Sequence, residues 1–286
     1  MTGARRLPLS AWLGLGVIAI SGAGMLARVE PFWSWHTPIA WTGYLFFVDG
    51  LIWKIRGESP IRNDRAEMVF MAIVSVPLWI VFEIYNKYTL HNWHYLGLTD
   101  VLLLRYVGYA WAFATIWPAI FLTAELVGSV RDRRAPAYRR QDPKRVPLGL
   151  VGWVSIAAGA AMLMWPIARP SPWLAAPVWL GFIFLLDPIN ARTGAESIRG
   201  DLASGHTGRL VNLLVAGFVC GLIWESWNYW ARTKWIYSVP VPPDIKLFEM
   251  PLAGYLGFPA FAVECFVMYV FVRQWLWRGA WRPIAL

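Results

Sequence analysis

Two short strings in this sequence place an amide one helical turn after an acid: Glu83-Ile84-Tyr85-Asn86 and Glu225-Ser226-Trp227-Asn228. Both sit in apolar runs, where a carboxyl is costly and faces a protein interior or a wet cavity. Positions i and i+3 share a helix face, so Asn86 and Asn228 stand beside the acids. Seven residues after each asparagine comes an aromatic pair, Trp93-His94-Tyr95 and Trp235-Ile236-Tyr237. Two carboxyls in one apolar site have their pKa values pushed apart, which leaves one protonated as a general acid. Aromatic faces attract cations through their quadrupoles. The combination suits a reaction that passes through carbocations, and equally the plain binding of a flat or polyene ligand. The expected catalytic set is therefore Glu83 and Glu225, tuned by Asn86 and Asn228 and converging on a shared cavity. Glu225 is favoured as proton donor because Trp224 and Trp227 flank it, where Phe82 and Tyr85 flank Glu83. The expected binding set is Trp79, Tyr85, Trp93, Tyr95, Trp224, Trp227, Trp235 and Tyr237, with the acids Asp49, Asp187 and Glu264. An alternative is that the glutamates lock helix packing through hydrogen bonds. Asp49 and Asp187, near helix ends, could simply pair with loop Arg or Lys.

The elements that must hold these residues are membrane helices. The 286 residues are 58% hydrophobic and 15% charged, with a mean hydropathy of +0.46, too apolar for a soluble domain. A spanning helix needs roughly 20 mostly apolar residues. Eight candidates run over 9–27, 37–53, 68–85, 106–127, 146–167, 173–189, 210–230 and 252–272. The first follows Arg5 and Arg6 much as a cleaved leader would. It reads as a retained span, because later helices already secure insertion. With the N-terminus in the cytoplasm, nineteen of the 26 lysines and arginines fall on that side. This is the positive-inside pattern, and it supports eight spans with both termini inside. The net charge of +9 is thereby a topology signal, and nucleic acid is not an expected partner. Cys220 and Cys265 fall inside spans as free thiols. The four histidines, His36, His91, His94 and His206, lie outside the spans and offer no haem or di-iron ligand set. No metal and no cofactor are expected.

The chain also repeats. Trp41-x-Gly43-x-x-Phe46-x-x-Asp49 returns as Trp179-x-Gly181-x-x-Phe184 followed by Asp187, and Glu58-Ser59 returns as Glu196-Ser197, both 138 residues later. The glutamate and W-x-Y strings return at an offset of 142, and Trp117-Pro118-Ala119 meets Phe258-Pro259-Ala260. The expected organisation is a four-helix unit over 1–130, a basic cytoplasmic linker over 131–145 and a second unit over 146–286. An even number of helices per unit makes the two units parallel about an axis along the membrane normal.

An acid after an aromatic late in one helix, a following W-x-Y, and a helix with proline shortly before an acid occur together here. They are Phe82-Glu83, Trp93-x-Tyr95 and Pro118 to Glu125, then Trp224-Glu225, Trp235-x-Tyr237 and Pro259 to Glu264. This resembles the two-repeat membrane lycopene cyclases and the integral-membrane terpene cyclases of fungal meroterpenoid pathways, over roughly 38–127 and 176–273. Each unit here has a fourth helix in front of that family's usual three. Glu125 and Glu264 stand singly where the family has paired acids after the proline. The resemblance implies redox-neutral, cofactor-free cyclisation of an isoprenoid chain, begun when a carboxylic acid protonates an alkene or epoxide. The expectation is thus a membrane-embedded cyclase or isomerase of a hydrophobic isoprenoid or lipid. The competing class is a transporter or binding protein for a lipid or small apolar ligand.

Overall fold

A computed structural model of the chain describes residues 5–131, 144–240, 245–279 and 284. Most of the linker expected over 131–145 lies outside the described residues. In order, the elements are α1 (Leu9–Leu26), α2 (Phe32–Arg56), the short α3 (Pro60–Asn63) and α4 (Arg65–Tyr85). A π-helical turn (Asn86–Leu90) leads to β1 (Trp93–Leu96), α5 (Leu102–Ala114) and α6 (Ile116–Arg131). The second half holds α7 (Gly149–Ala168), α8 (Ala175–Thr193), the short α9 (Ile198–Ala203), α10 (Gly208–Trp230) and β2 (Lys234–Tyr237). It ends with a small hairpin, β3 (Lys246–Leu247) and β4 (Met250–Pro251), a 3₁₀ turn (Leu252–Leu256) and α11 (Gly257–Leu276).

Seven stretches are long and apolar enough to cross a membrane: Leu9–Leu26, Arg65–Leu90, Leu102–Arg131, Gly149–Ala168, Pro172–Thr193, Gly208–Trp230 and Leu252–Leu276. The protein is a multi-pass, all-α membrane protein. The remaining long helix, α2, has 25 residues and at 1.5 Å per residue extends about 37 Å. It falls short in hydropathy because it carries His36, Thr37, Thr42, Asp49, Lys54 and Arg56.

α1 and α7 are peripheral, each packed mainly on the helix that follows it. Small residues permit that close approach. A Cβ on Gly14 would strike the Gly43 carbonyl, and one on Gly159 would strike α8 at Gly181 and Leu185, the small-residue packing that membranes favour. Between α2, α4, α6, α8, α10 and α11 lies the core, with Trp41, Phe82, Trp117, Ile120, Leu122, Phe266 and Tyr269 essentially inaccessible. α2 and α8 both end on a left-handed glycine, Gly57 (φ 84°) and Gly194 (φ 82°), as helix C-termini prefer.

The expected span 106–127 is two helices. Pro118 cannot continue the ladder, and the chain breaks at Thr115 between α5 and α6. Ser75 on α4 repairs the gap. Its hydroxyl donates to the Phe113 carbonyl and accepts from the Trp117 N–H at 3.3 Å.

At the end of the bundle away from the strands, the core is closed by buried ion pairs. Arg273 is fully buried, with Nε 2.6 Å from Glu67 and Nη1 3.4 Å from Glu196. Glu125 on α6 pairs with Arg56 of α2 at 3.2 Å.

A candidate ligand cavity with a buried glutamate

The site is built by β1 and β2, which pair antiparallel in the register Trp93↔Tyr237, His94↔Ile236, Tyr95↔Trp235 and Leu96↔Lys234. Alternate strand residues share a face. The W-x-Y spacing therefore puts Trp93, Tyr95, Trp235 and Tyr237 on one side of the ribbon and leaves His94 and Ile236 on the other.

Asn86 and Asn228, expected to tune the glutamates, have their amides hydrogen-bonded to strand backbone instead and hold this ribbon. Asn86 donates through Nδ2 to the Trp93 carbonyl (2.8 Å), and its Oδ1 accepts from the N–H groups of Asn92 (2.8 Å) and Trp93 (3.1 Å). Asn228 donates to the Trp235 carbonyl (2.7 Å) and accepts from the Trp235 N–H (2.9 Å). Both amides are spent on strand backbone, because a chain leaving a helix end needs partners for its exposed N–H and C=O groups.

The ribbon returns a tyrosine to each acid. Tyr95 donates to Glu83 at 2.5 Å and Tyr237 to Glu225 at 2.7 Å. Burial, reinforced by the adjacent carboxyl, pushes both phenols well above their ordinary pKa, so each remains a donor. Beyond this shared bond the two acids differ. One Glu83 oxygen also accepts from Trp79 (2.8 Å) and Trp93 (3.3 Å). Glu225 has Gly221, not a tryptophan, one turn earlier, and a Cβ at Gly221 would collide with the Phe258 ring. The Trp235 indole donates to the Tyr237 hydroxyl at 2.8 Å. Glu225 is completely buried, and its second oxygen has no hydrogen-bond partner among the described residues.

A cavity of about 620 Å³ lies at the ribbon end of the bundle, within the range of small-molecule sites. Of the expected residues, Trp79, Trp93, Tyr95, Trp224, Glu225, Trp235 and Tyr237 line it. Glu83, Asn86 and Asn228 do not, so the carboxyls share no lining, and each is bonded to its own strand's tyrosine. Tyr85 turns to α7, donating to the Leu163 carbonyl at 3.1 Å. Trp227 packs edge-on against Trp41, Tyr44 and His36. Glu264 is buried against α8, accepting from the Phe182 N–H at 3.3 Å.

Asp49 and Asp187 are likewise away from the lining. Asp49 accepts from the Ser59 hydroxyl (2.9 Å) and the Ile61 N–H (2.8 Å). Asp187 accepts from the N–H groups of Ile198 (2.7 Å) and Arg199 (2.8 Å). Each thus anchors the first turn of the next short helix, α3 or α9, supplying acceptors to N–H groups that a helix start leaves open.

Arg105, Tyr109 and Phe113 on α5, Trp35 on α2, and Met250 and Phe261, none of them expected from the sequence, also line the cavity. Only the spacing of Arg105, Tyr109 and Phe113, one helix face at i, i+4 and i+8, could have signalled them. The fold and site define a helical membrane protein with an aromatic cavity bordered, among the described residues, by one buried glutamate. No protein-family model, curated protein or solved structure matches the chain.

Proposed function

We propose that the protein is a membrane-embedded, redox-neutral cyclase or isomerase of a hydrophobic isoprenoid or lipid, with Glu225 as the proton donor. One observation carries this: a fully buried glutamate on an aromatic cavity, with one oxygen held by Tyr237 and the other without a partner among the described residues. The Glu225 proton adds to an alkene carbon, and the π pair becomes the new C–H bond. A second double bond closes on the resulting cation, and loss of a proton to the carboxylate restores the acid. Trp79, Trp93, Trp224 and Trp235 present faces that stabilise the cation. The buried ion pairs at the opposite end favour a dead-end pocket over a transport path.

The same reading takes the chain as two parallel four-helix units, 1–130 and 146–286, with α2 as the eighth span and both termini cytoplasmic. The ribbon register supports it. Trp93 pairs with Tyr237 and Tyr95 with Trp235, so a local twofold passes between His94 and Ile236, which correspond at the 142-residue offset.

Membranes holding the protein, incubated in D₂O with a panel of acyclic isoprenoids, test the reading. The expected product is an isomer of one of them that carries a single carbon-bound deuterium. Glu225→Gln keeps the shape but cannot give up a proton. It should lower turnover by about 10²–10⁴-fold while the protein remains monodisperse. Lipids that stay unchanged with wild-type protein would leave a carrier or binding protein as the reading.

A further inference from the structure

Among the described residues, three charged ones line the cavity: Glu225, Arg105 and Lys234. Lys234 is neutralised by Glu249. Arg105 has no acid partner among the described residues. Its Nε and Nη2 both donate to the Thr99 carbonyl, at 2.9 and 2.7 Å, which fixes the guanidinium without neutralising it. Arg105 also begins a track. Gly108, Tyr109, Ala112 and Phe113 line the cavity from the same face of α5, so an apolar wall runs about 12 Å below the cation at 1.5 Å per residue.

We infer that the ligand of this cavity is an amphiphile with an anionic head, a carboxylate or phosphate, held by Arg105, its apolar tail lying along α5 toward the interior. This rests on the cavity being the substrate site proposed above. A hydrocarbon draws nothing from a fixed guanidinium, and a simple alcohol can accept only a single hydrogen bond from it without balancing its charge. An anion forms charge-assisted bonds with it, roughly twice as strong as neutral ones. Arginine also suits the role because its planar fork can offer two parallel donors to a carboxylate or phosphate while other N–H groups stay on Thr99.

The test uses retinoic acid and retinol, which share one isoprenoid polyene skeleton and differ in the head. Binding to the purified protein in neutral detergent is read from quenching of tryptophan fluorescence. Retinoic acid should bind at least about tenfold tighter than retinol, as expected of one hydrogen bond to a charged group. Arg105→Gln should bring the two within about twofold, and Arg105→Lys, which keeps the charge but loses the planar fork, should retain only part of the preference. Equal affinities in the wild type, or a preference that survives Arg105→Gln, would overturn the head-group assignment and leave the Glu225 chemistry standing. If neither retinoid binds, the assignment falls together with the cavity as the substrate site.

Discussion

Glu83 and Glu225 sit in matching strings, yet their hydrogen bonding makes them different groups. One oxygen of Glu83 satisfies three donors, from Trp79, Trp93 and Tyr95, and so does a structural acceptor's work. Glu225 accepts from Tyr237 on one oxygen and borders the cavity. In the proposed reaction, the Tyr237 hydroxyl would also stabilise the carboxylate left when the proton departs. Tyr237→Phe should therefore lower turnover about tenfold or more, the worth of a hydrogen bond to a charged acceptor. Tyr95→Phe leaves Glu83 two donors and should change turnover by less than about twofold. Comparable losses in the two variants of the D₂O assay would refute the division of roles. Part of this asymmetry is legible in the sequence, since Trp79 and Gly221 stand one turn before the respective acids. The turn of the Trp235 indole to Tyr237 is not legible, because side-chain direction within the ribbon depends on what packs behind it.

The element that organises the site is a four-residue strand pair across the end of a helical bundle. A two-stranded ribbon alone is marginal in water, and here asparagines at two helix ends pin it. Asn228→Ala removes both bonds to Trp235 and leaves its N–H and C=O to find other partners. The expected cost is about 1–3 kcal/mol, with faster amide exchange over 93–96 and 234–237. Asn228→Asp keeps the acceptor but loses the donor and should fall between. Unchanged exchange in the alanine variant would show that strand pairing and aromatic packing suffice without the clamp. The recurring asparagine and W-x-Y were plain as strings, but their bond was not. Periodicity identifies a helix or strand; it does not identify which backbone group a side-chain amide seven residues away will meet.

For the whole molecule, the position of α2 sets the parity of the fold. Asp49 lies inside it and anchors α3, and its tryptophan Trp41 packs against Trp224 and Trp227 of α10. A polar helix with a buried tryptophan face can cross the bilayer because its neighbours shield it. If it does, the exposed positions Val29 and Arg65, which flank it, lie on opposite sides of the membrane. Single-cysteine variants Val29→Cys and Arg65→Cys should then react with an impermeant thiol reagent from opposite faces. Labelling of both from one face would remove α2 from the spans and separate the two termini.

The sequence by itself determined the solvent and most of the long helices, but not the break at Thr115 or the strand ribbon. Long apolar runs must bury their backbone polar groups internally in a bilayer, and only helices do that along a single segment. It also determined that two acids with matching neighbours would be placed late in matching helices, because recurrence of strings at a constant offset is a property of the chain alone. Only the tertiary structure decided which acid faces the cavity, that Asp49 and Asp187 serve α3 and α9, and that Arg105 lines the same space as Glu225. Hydrophobic burial is non-directional and can be counted along a sequence. A hydrogen bond is lost with misplacement of a few tenths of an ångström, and its geometry here is set by packing between segments more than a hundred residues apart.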